Sequence, residues 1–150
     1  MLSKALEGVI AQVLVKYLEE SGASGHTQWA FREGHSCRDL IALLTSTWIL
    51  HLHAGKKVGV YLSDISGAFD RINSSLLLDK LKAAGLNDEL LRFMKSYLEP
   101  RRANVVVAGA MSREMKLENT VVQGTRLGPP LWNVHFQDVS VSVPDEYQEI

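Results

Sequence analysis

A single cysteine, Cys37, stands among the 150 residues, so no disulfide closes within the chain and no cysteine-rich zinc site forms. That scarcity is compatible with a reducing, intracellular setting. Gly and Pro together number 15 and charged residues make up 22%, which indicates neither disorder nor a fibrous repeat. Long apolar runs are missing too. Lys4, Glu7 and Lys16 interrupt the apolar N-terminal stretch, which suits neither a signal peptide nor a membrane span. The chain reads as soluble and intracellular with no membrane partner, and nothing separates nucleus from cytoplasm. An excess of one charge is absent as well, the net being -1. Its distribution is uneven. Nine basic residues face five acidic ones from Lys80 to Arg126, whereas residues 127–150 hold four acidic residues and no Lys or Arg. That pattern permits a polyanion partner, as it permits a plain solvated surface.

What is present is a 46% hydrophobic content, enough for one domain with a core over residues 1–150. Leu2, Leu6, Val9, Ile10, Val13, Leu14, Tyr17 and Leu18 recur at three and four residues and predict an amphipathic helix, ended by Ser21 to Gly25. Gln28 to His35 reads as irregular. Ser36 and Asp39 form a capping-box pattern for a second helix, with Leu40, Ile41, Leu44, Trp48 and Leu52 as its apolar set and Gly55 as its stop. Trp48 is expected in the core, and Trp29 and Trp132 are further candidates. Val58 to Ile65 carries apolar residues on both parities and predicts a largely buried strand. Helices follow from about Ser74 to Ala84, stopped by Gly85, and from the cap Asn87 to Pro100. Arg101–Val107 and Ser112–Leu117, separated by Ala108-Gly109-Ala110, read as a hairpin. A glycine-flanked loop spans Gln123 to Gly128, and Pro129 or Pro130 opens a last helix through roughly Val139. The order is α+β: helices packed on a thin antiparallel sheet that looks one strand short.

Asp64 lies at the end of the expected strand. A carboxylate beside apolar residues needs a partner, and a cation such as Mg²⁺, held by one or two carboxylates, waters and phosphates, would be one. A turn-capping aspartate is the structural alternative. The run Asp64-Ile65-Ser66-Gly67-Ala68-Phe69-Asp70-Arg71-Ile72 resembles motif A of reverse transcriptases, especially those of non-LTR retrotransposons, over residues 61–72. The resemblance implies that Asp64 is catalytic and binds metal with the Ile65 carbonyl, and that Phe69 underlies the incoming deoxynucleotide, its ring excluding a 2′-hydroxyl. Asp70 reads as structural, satisfying local backbone donors.

Gln123-Gly124-Thr125-Arg126-Leu127-Gly128-Pro129-Pro130-Leu131-Trp132-Asn133 is similar to motif B of that family, over residues 123–133. From the residues alone it is a flexible loop opening into a helix, whose N-terminus favours negative charge. The resemblance implies that Gln123 and Gly124 contact nucleotide or template and that Asn133 hydrogen-bonds within the site. Arg126 reads as a phosphate contact or as a solvated loop arginine. Upstream, Gln28, Phe31, Arg32, Gly34 and Ser36 match the segment that precedes motif A in non-LTR and intron-type enzymes, with Ala30, His35 and, before Gln123, Val122 departing from the usual residues. Arg32 then faces template or nucleotide, or pairs structurally with Asp39.

No Asp-Asp pair occurs, so the family's motif C is expected to be absent, and with it the second catalytic aspartate. The resemblance therefore implies an internal fragment: partial fingers and palm of a right-hand polymerase. The parent enzyme would add deoxynucleotides to a DNA primer on an RNA template with Mg²⁺, and this chain alone is expected to be inactive. The competing expectations are a non-catalytic nucleic-acid-binding or assembly module on the palm scaffold, a non-functional relic, and an unrelated α+β protein.

Overall fold

The computed structural model describes residues 2–25, 27–118, 121 and 124–143. Helix α1 (Leu2–Glu20) buries Ala11, Leu14 and Leu18 and leaves Leu6, Val9 and Val13 in solvent. Helix α2 (Cys37–His53) starts where its cap predicts: Ser36 Oγ accepts from the Asp39 N–H at 3.2 Å. It stops at Gly55, where the Lys56 N–H reaches the His51 carbonyl at 2.9 Å and φ is +75°. Helix α3 (Ser74–Ala83) is capped by Asn73, whose Oδ1 accepts from the N–H groups of Ser75 and Leu76 at 3.1 Å. Helix α4 (Asp88–Tyr97) is capped by Asn87 through the Leu90 N–H at 2.9 Å. Helix α5 (Gly128–Phe136) carries proline in its first turn, as expected, but ends at Phe136 and continues as a 3₁₀ turn over Gln137–Ser142.

Helices α3, α4 and α5 pack together. Their buried side chains, with Leu14 and Leu18 of α1 and the loop residues Ile72, Val121 and Leu127, form one core. Lys80 on α3 ties down the end of α5, donating to the His135 carbonyl and, at 2.7 Å, to Asp138. Gly85, at φ +86°, lets the chain turn from α3 to α4 under the Tyr17 ring, whose hydroxyl donates to the Ala84 carbonyl at 2.6 Å. A Cβ at Gly85 would lie 2.8 Å from that hydroxyl.

The hairpin forms as two short antiparallel ladders. β1 (Arg101–Ala103) pairs with β4 (Met115–Leu117), and β2 (Val106–Val107) with β3 (Ala110–Met111). Between Ala103↔Met115 and Val106↔Met111 one side has one residue more than the other, so the ladder is broken by a bulge near Ser112. Ala108 and Gly109, both at positive φ, make the tight turn.

Three expectations fail. The strand Val58–Ile65 does not form, and Tyr61 and Leu62 are 89% and 88% exposed. A strand needs neighbours for its N–H and C=O groups. The described strands pair only within the hairpin, so none lies beside this segment. The helices accordingly pack on one another and not on a sheet. Trp48 is not in the core, because α2 buries no residue. The class is α+β: five helices and two small antiparallel ladders among the described residues.

Candidate functional site

Past Asp64, Gly67 at φ +65° turns the chain into a 3₁₀ turn, Ala68–Asp70. This brings Phe69 against the segment entering α5. The Val121 N–H donates to the Phe69 carbonyl at 2.9 Å. The Phe69 ring lies 6.0 Å from Trp132, and Trp132 stacks on Phe136 at 5.2 Å. Gly128 makes this approach possible: a Cβ there would stand 3.0 Å from Thr125 Oγ1, 3.3 Å from Val121 and 3.6 Å from the Phe69 ring.

The segment before α2 is fastened to the same place. Asn133 on α5 is 2% exposed. Its amide donates to the Ala30 carbonyl at 2.9 Å and accepts from Gln28 Nε2 at 3.1 Å, satisfying a buried polar group from two sides. Arg32 does not pair with Asp39. Its guanidinium meets Glu19 of α1, with Nη2 at 2.6 Å from Oε2, and donates to the carbonyls of Gly25 at 2.7 Å and Gln28 at 3.1 Å. With those donors engaged, Arg32 is a structural tie. The hydrogen bond from Arg32 holds the Glu19 carboxyl below the usual range, against the opposing effect of burial.

Glu7 of α1 plays a similar part for the loop before α5. Its Oε1 accepts from the N–H groups of Arg126 at 2.8 Å and Leu127 at 3.1 Å. Leu127, the capping residue of α5, makes no side-chain cap of its own. A carboxylate 120 residues away thus supplies the cap and meets the positive end of the helix. The exposed Arg126 side chain packs against α1 at Gly8, where a Cβ would stand 3.1 Å from Nη1. Sequence reasoning gave neither Glu7 nor Glu19 a part in the site, since nothing local marks a carboxylate as the partner of a distant loop.

Of the expected site residues, then, Phe69, Asn133 and Arg32 converge around α5 and the segment 28–32. Gly124, at φ +79°, is exposed on the loop. Asp64 is exposed, and Ile65 is 39% exposed. Ile65 borders a cleft of about 400 Å³ with Arg71, Lys80, Trp132 and Phe136. His135 also borders it; burial, and secondarily Lys80, keep its imidazole below the ordinary pKa. Gln123 lies outside the described residues. No group of three or more His, Cys, Asp or Glu side chains suited to a metal ion occurs among the described residues. One exposed carboxylate does not by itself make a two-cation site.

The sequence pattern described as "Reverse transcriptase (RNA-dependent DNA polymerase)" matches residues 1–149. The chain is 30% identical over 138 residues to a probable RNA-directed DNA polymerase from transposon X-element of Drosophila melanogaster, covering 92% of this chain and 15% of that protein. The same identity and coverage hold for the RNA-directed DNA polymerase from mobile element jockey of Drosophila funebris. A Pol polyprotein from the type-1 retrotransposable element R2 of Popillia japonica is 30% identical over 92 residues, 61% of this chain and 15% of that protein. No solved structure gives a significant match. The chain thus spans about 15% of the length of these relatives. A match across nearly all of its residues, together with retrotransposon polymerases as its relatives, places the chain in the reverse transcriptase family.

Proposed function

We propose that this chain contributes one wall of the active site of a retrotransposon-type RNA-directed DNA polymerase, completed by residues outside these 150. The observation that carries this reading is the seating of Phe69 on α5. The segment resembling motif A meets the segment resembling motif B through the Phe69–Trp132 ring contact, and the Val121–Phe69 hydrogen bond lies two residues before the latter segment. In that reading 61–72 and 123–133 belong to a palm, and Phe69 lies under the sugar of the incoming deoxynucleotide. Gln123 and Gly124 border template or nucleotide, and Asn133 works by holding the segment 28–32 in place. Mg²⁺, when bound, supplies charge stabilisation for nucleotidyl transfer, and Asp64 with the Ile65 carbonyl is the part of its donor set that this chain holds. RNA template, DNA primer and deoxynucleotides are the partners of the completed enzyme.

Two assays on the purified chain test the reading. Labelled primer–template should bind, with an affinity that falls steeply as salt rises. Primer extension with Mg²⁺ should be absent. Extension that Asp64→Asn abolishes would show that the 150 residues complete the site and would overturn the one-wall reading. Absence of any binding at low salt would remove the nucleic-acid reading altogether.

A further inference from the structure

Phe31 is a bulky residue held at φ +59°, a conformation rarely adopted by side chains of its kind. The other non-glycine residue at positive φ among the described residues, Ala108, is explained by its tight hairpin turn. Phe31 also lies in a turn, with Ala30, but its bulky ring gains little burial there: the residue is 56% exposed. Its conformation is nevertheless enforced from both sides. Asn133 grips the carbonyl of Ala30 just before it, and the Arg32 side chain just after it is locked to Glu19, Gly25 and Gln28. Strain of this kind persists where the surroundings over-determine it, and it gathers at ligand clamps.

What the strain achieves is the presentation of a flat apolar ring at the outer end of an aromatic row. Phe31 stands 6.4 Å from Phe69 at 62°, Phe69 abuts Trp132, and Trp132 stacks on Phe136. Phe69 and Trp132 are half-buried and packed against the core, so the row is anchored in the protein, Phe136 borders the cleft at its inner end, and Phe31 is its most exposed ring. An anchored ring with a free face is the element on which unpaired bases stack.

We propose that Phe31 is a stacking plate for one unpaired nucleobase of a bound single strand, held beside Phe69 by the Asn133 and Arg32 ties. This rests on the nucleic-acid reading above but names a residue and a contact which that reading does not require. The ring suits the flat face of a base, which stacks on Phe31 without any hydrogen-bond partner.

The test uses the full chain and a single-stranded RNA carrying 2-aminopurine, whose fluorescence is quenched by stacking. Binding is followed by anisotropy and by quenching for the wild type, Phe31→Tyr and Phe31→Gly. Glycine accepts positive φ, so Phe31→Gly should keep or raise the melting temperature while weakening binding about 5- to 100-fold, the range that alanine substitution of stacking rings gives. Phe31→Tyr should bind and quench as the wild type does. If RNA binds the wild type and Phe31→Gly equally, without a difference in quenching, the stacking plate is refuted and the nucleic-acid reading stands. If the wild type binds no RNA, both fall. A large loss of melting temperature in Phe31→Gly would make the ring a packing element. Concentration-dependent dimerisation that Phe31→Gly abolishes would make it a protein contact. Either result would overturn the proposal.

Discussion

Two stretches of this chain are similarly apolar and fare differently. Leu77, Leu81, Leu131 and Val134 on α3 and α5 are fully buried. Ile41, Ile49, Leu50 and Leu52 on α2, with Val60, Tyr61 and Leu62 after it, are all more than half exposed. Hydrophobic content does not separate them. Partners do. α3 packs on α4 and α5 and closes a core, whereas α2 and the extended segment 56–65 carry apolar side chains that no described element covers. Apolar surface stabilises a fold only to the extent that it leaves water.

The sharpest way to break that comparison is a pair of identical truncations. Leu77→Ala, in the core, should cost about 2–5 kcal/mol. Leu62→Ala, at 88% exposure, should change stability by about 0.5 kcal/mol or less. Urea unfolding of the two variants checks both values. An equal cost at Leu62 would mean that the segment is packed in solution.

The same division marks how far the fold was legible. Helix starts were readable at Ser36 and Asn87, because a cap is a local device that acts within three residues, and the start near Ser74 was placed without naming its cap, Asn73. The turn at Ala108-Gly109 and the prolines opening α5 were readable for the same reason. Val58–Ile65 misled, since two-sided apolar character states what a segment would bury and is silent on whether a neighbour exists to bury it. At the candidate site, the motif resemblance assigned Phe69 and Asn133 to one site, and the structure sets the Phe69 ring against Trp132 on the helix that carries Asn133. The carboxylates that organise it, Glu7 and Glu19, act on residues far along the chain and left no sign in spacing.

Two glycines at helix ends offer a second contrast. Gly85 and Gly55 have positive φ, +86° and +75°. Alanine at Gly55 meets open space and should cost about 1 kcal/mol for the backbone alone. Alanine at Gly85 also meets the Tyr17 hydroxyl and should cost about 1–3 kcal/mol, the range for strain that the surroundings impose. Thermal melts of Gly85→Ala with and without Tyr17→Phe would separate the terms, the double variant recovering part of the loss. Were Gly55→Ala the costlier change, α2 would have a cover in solution after all.

Within the packed half, Gln28 and Asn133 should behave as a unit. Asn133→Ala leaves the Ala30 carbonyl and the Gln28 amide with only their long 3.5 Å contact to each other and should cost about 1–3 kcal/mol. Gln28→Ala should cost less, since Gln28 is only half-buried. A double-mutant cycle should show a combined loss smaller than the sum, by about 0.5 kcal/mol or more for residues in one network. Strict additivity would mean that the two amides do not meet.

The smallest effect expected is a pH dependence, and it too belongs to the packed half. Burial and the neighbouring Lys80 lower the His135 pKa below the ordinary 6.5, so the unfolded chain takes up a proton there first as acid is added. The contribution of His135 is therefore whole above 6.5 and is lost as pH falls from there through the lower folded value. Glu19 is lowered below 4.5 by the Arg32 hydrogen bond, and a depressed carboxyl likewise stabilises above its unfolded value and loses that effect in stronger acid. Melting temperature against pH should thus descend in two stages, the first beginning near 6.5. His135→Gln should flatten the first stage and Glu19→Gln the second. A first stage that survived His135→Gln would assign the acid response to another group.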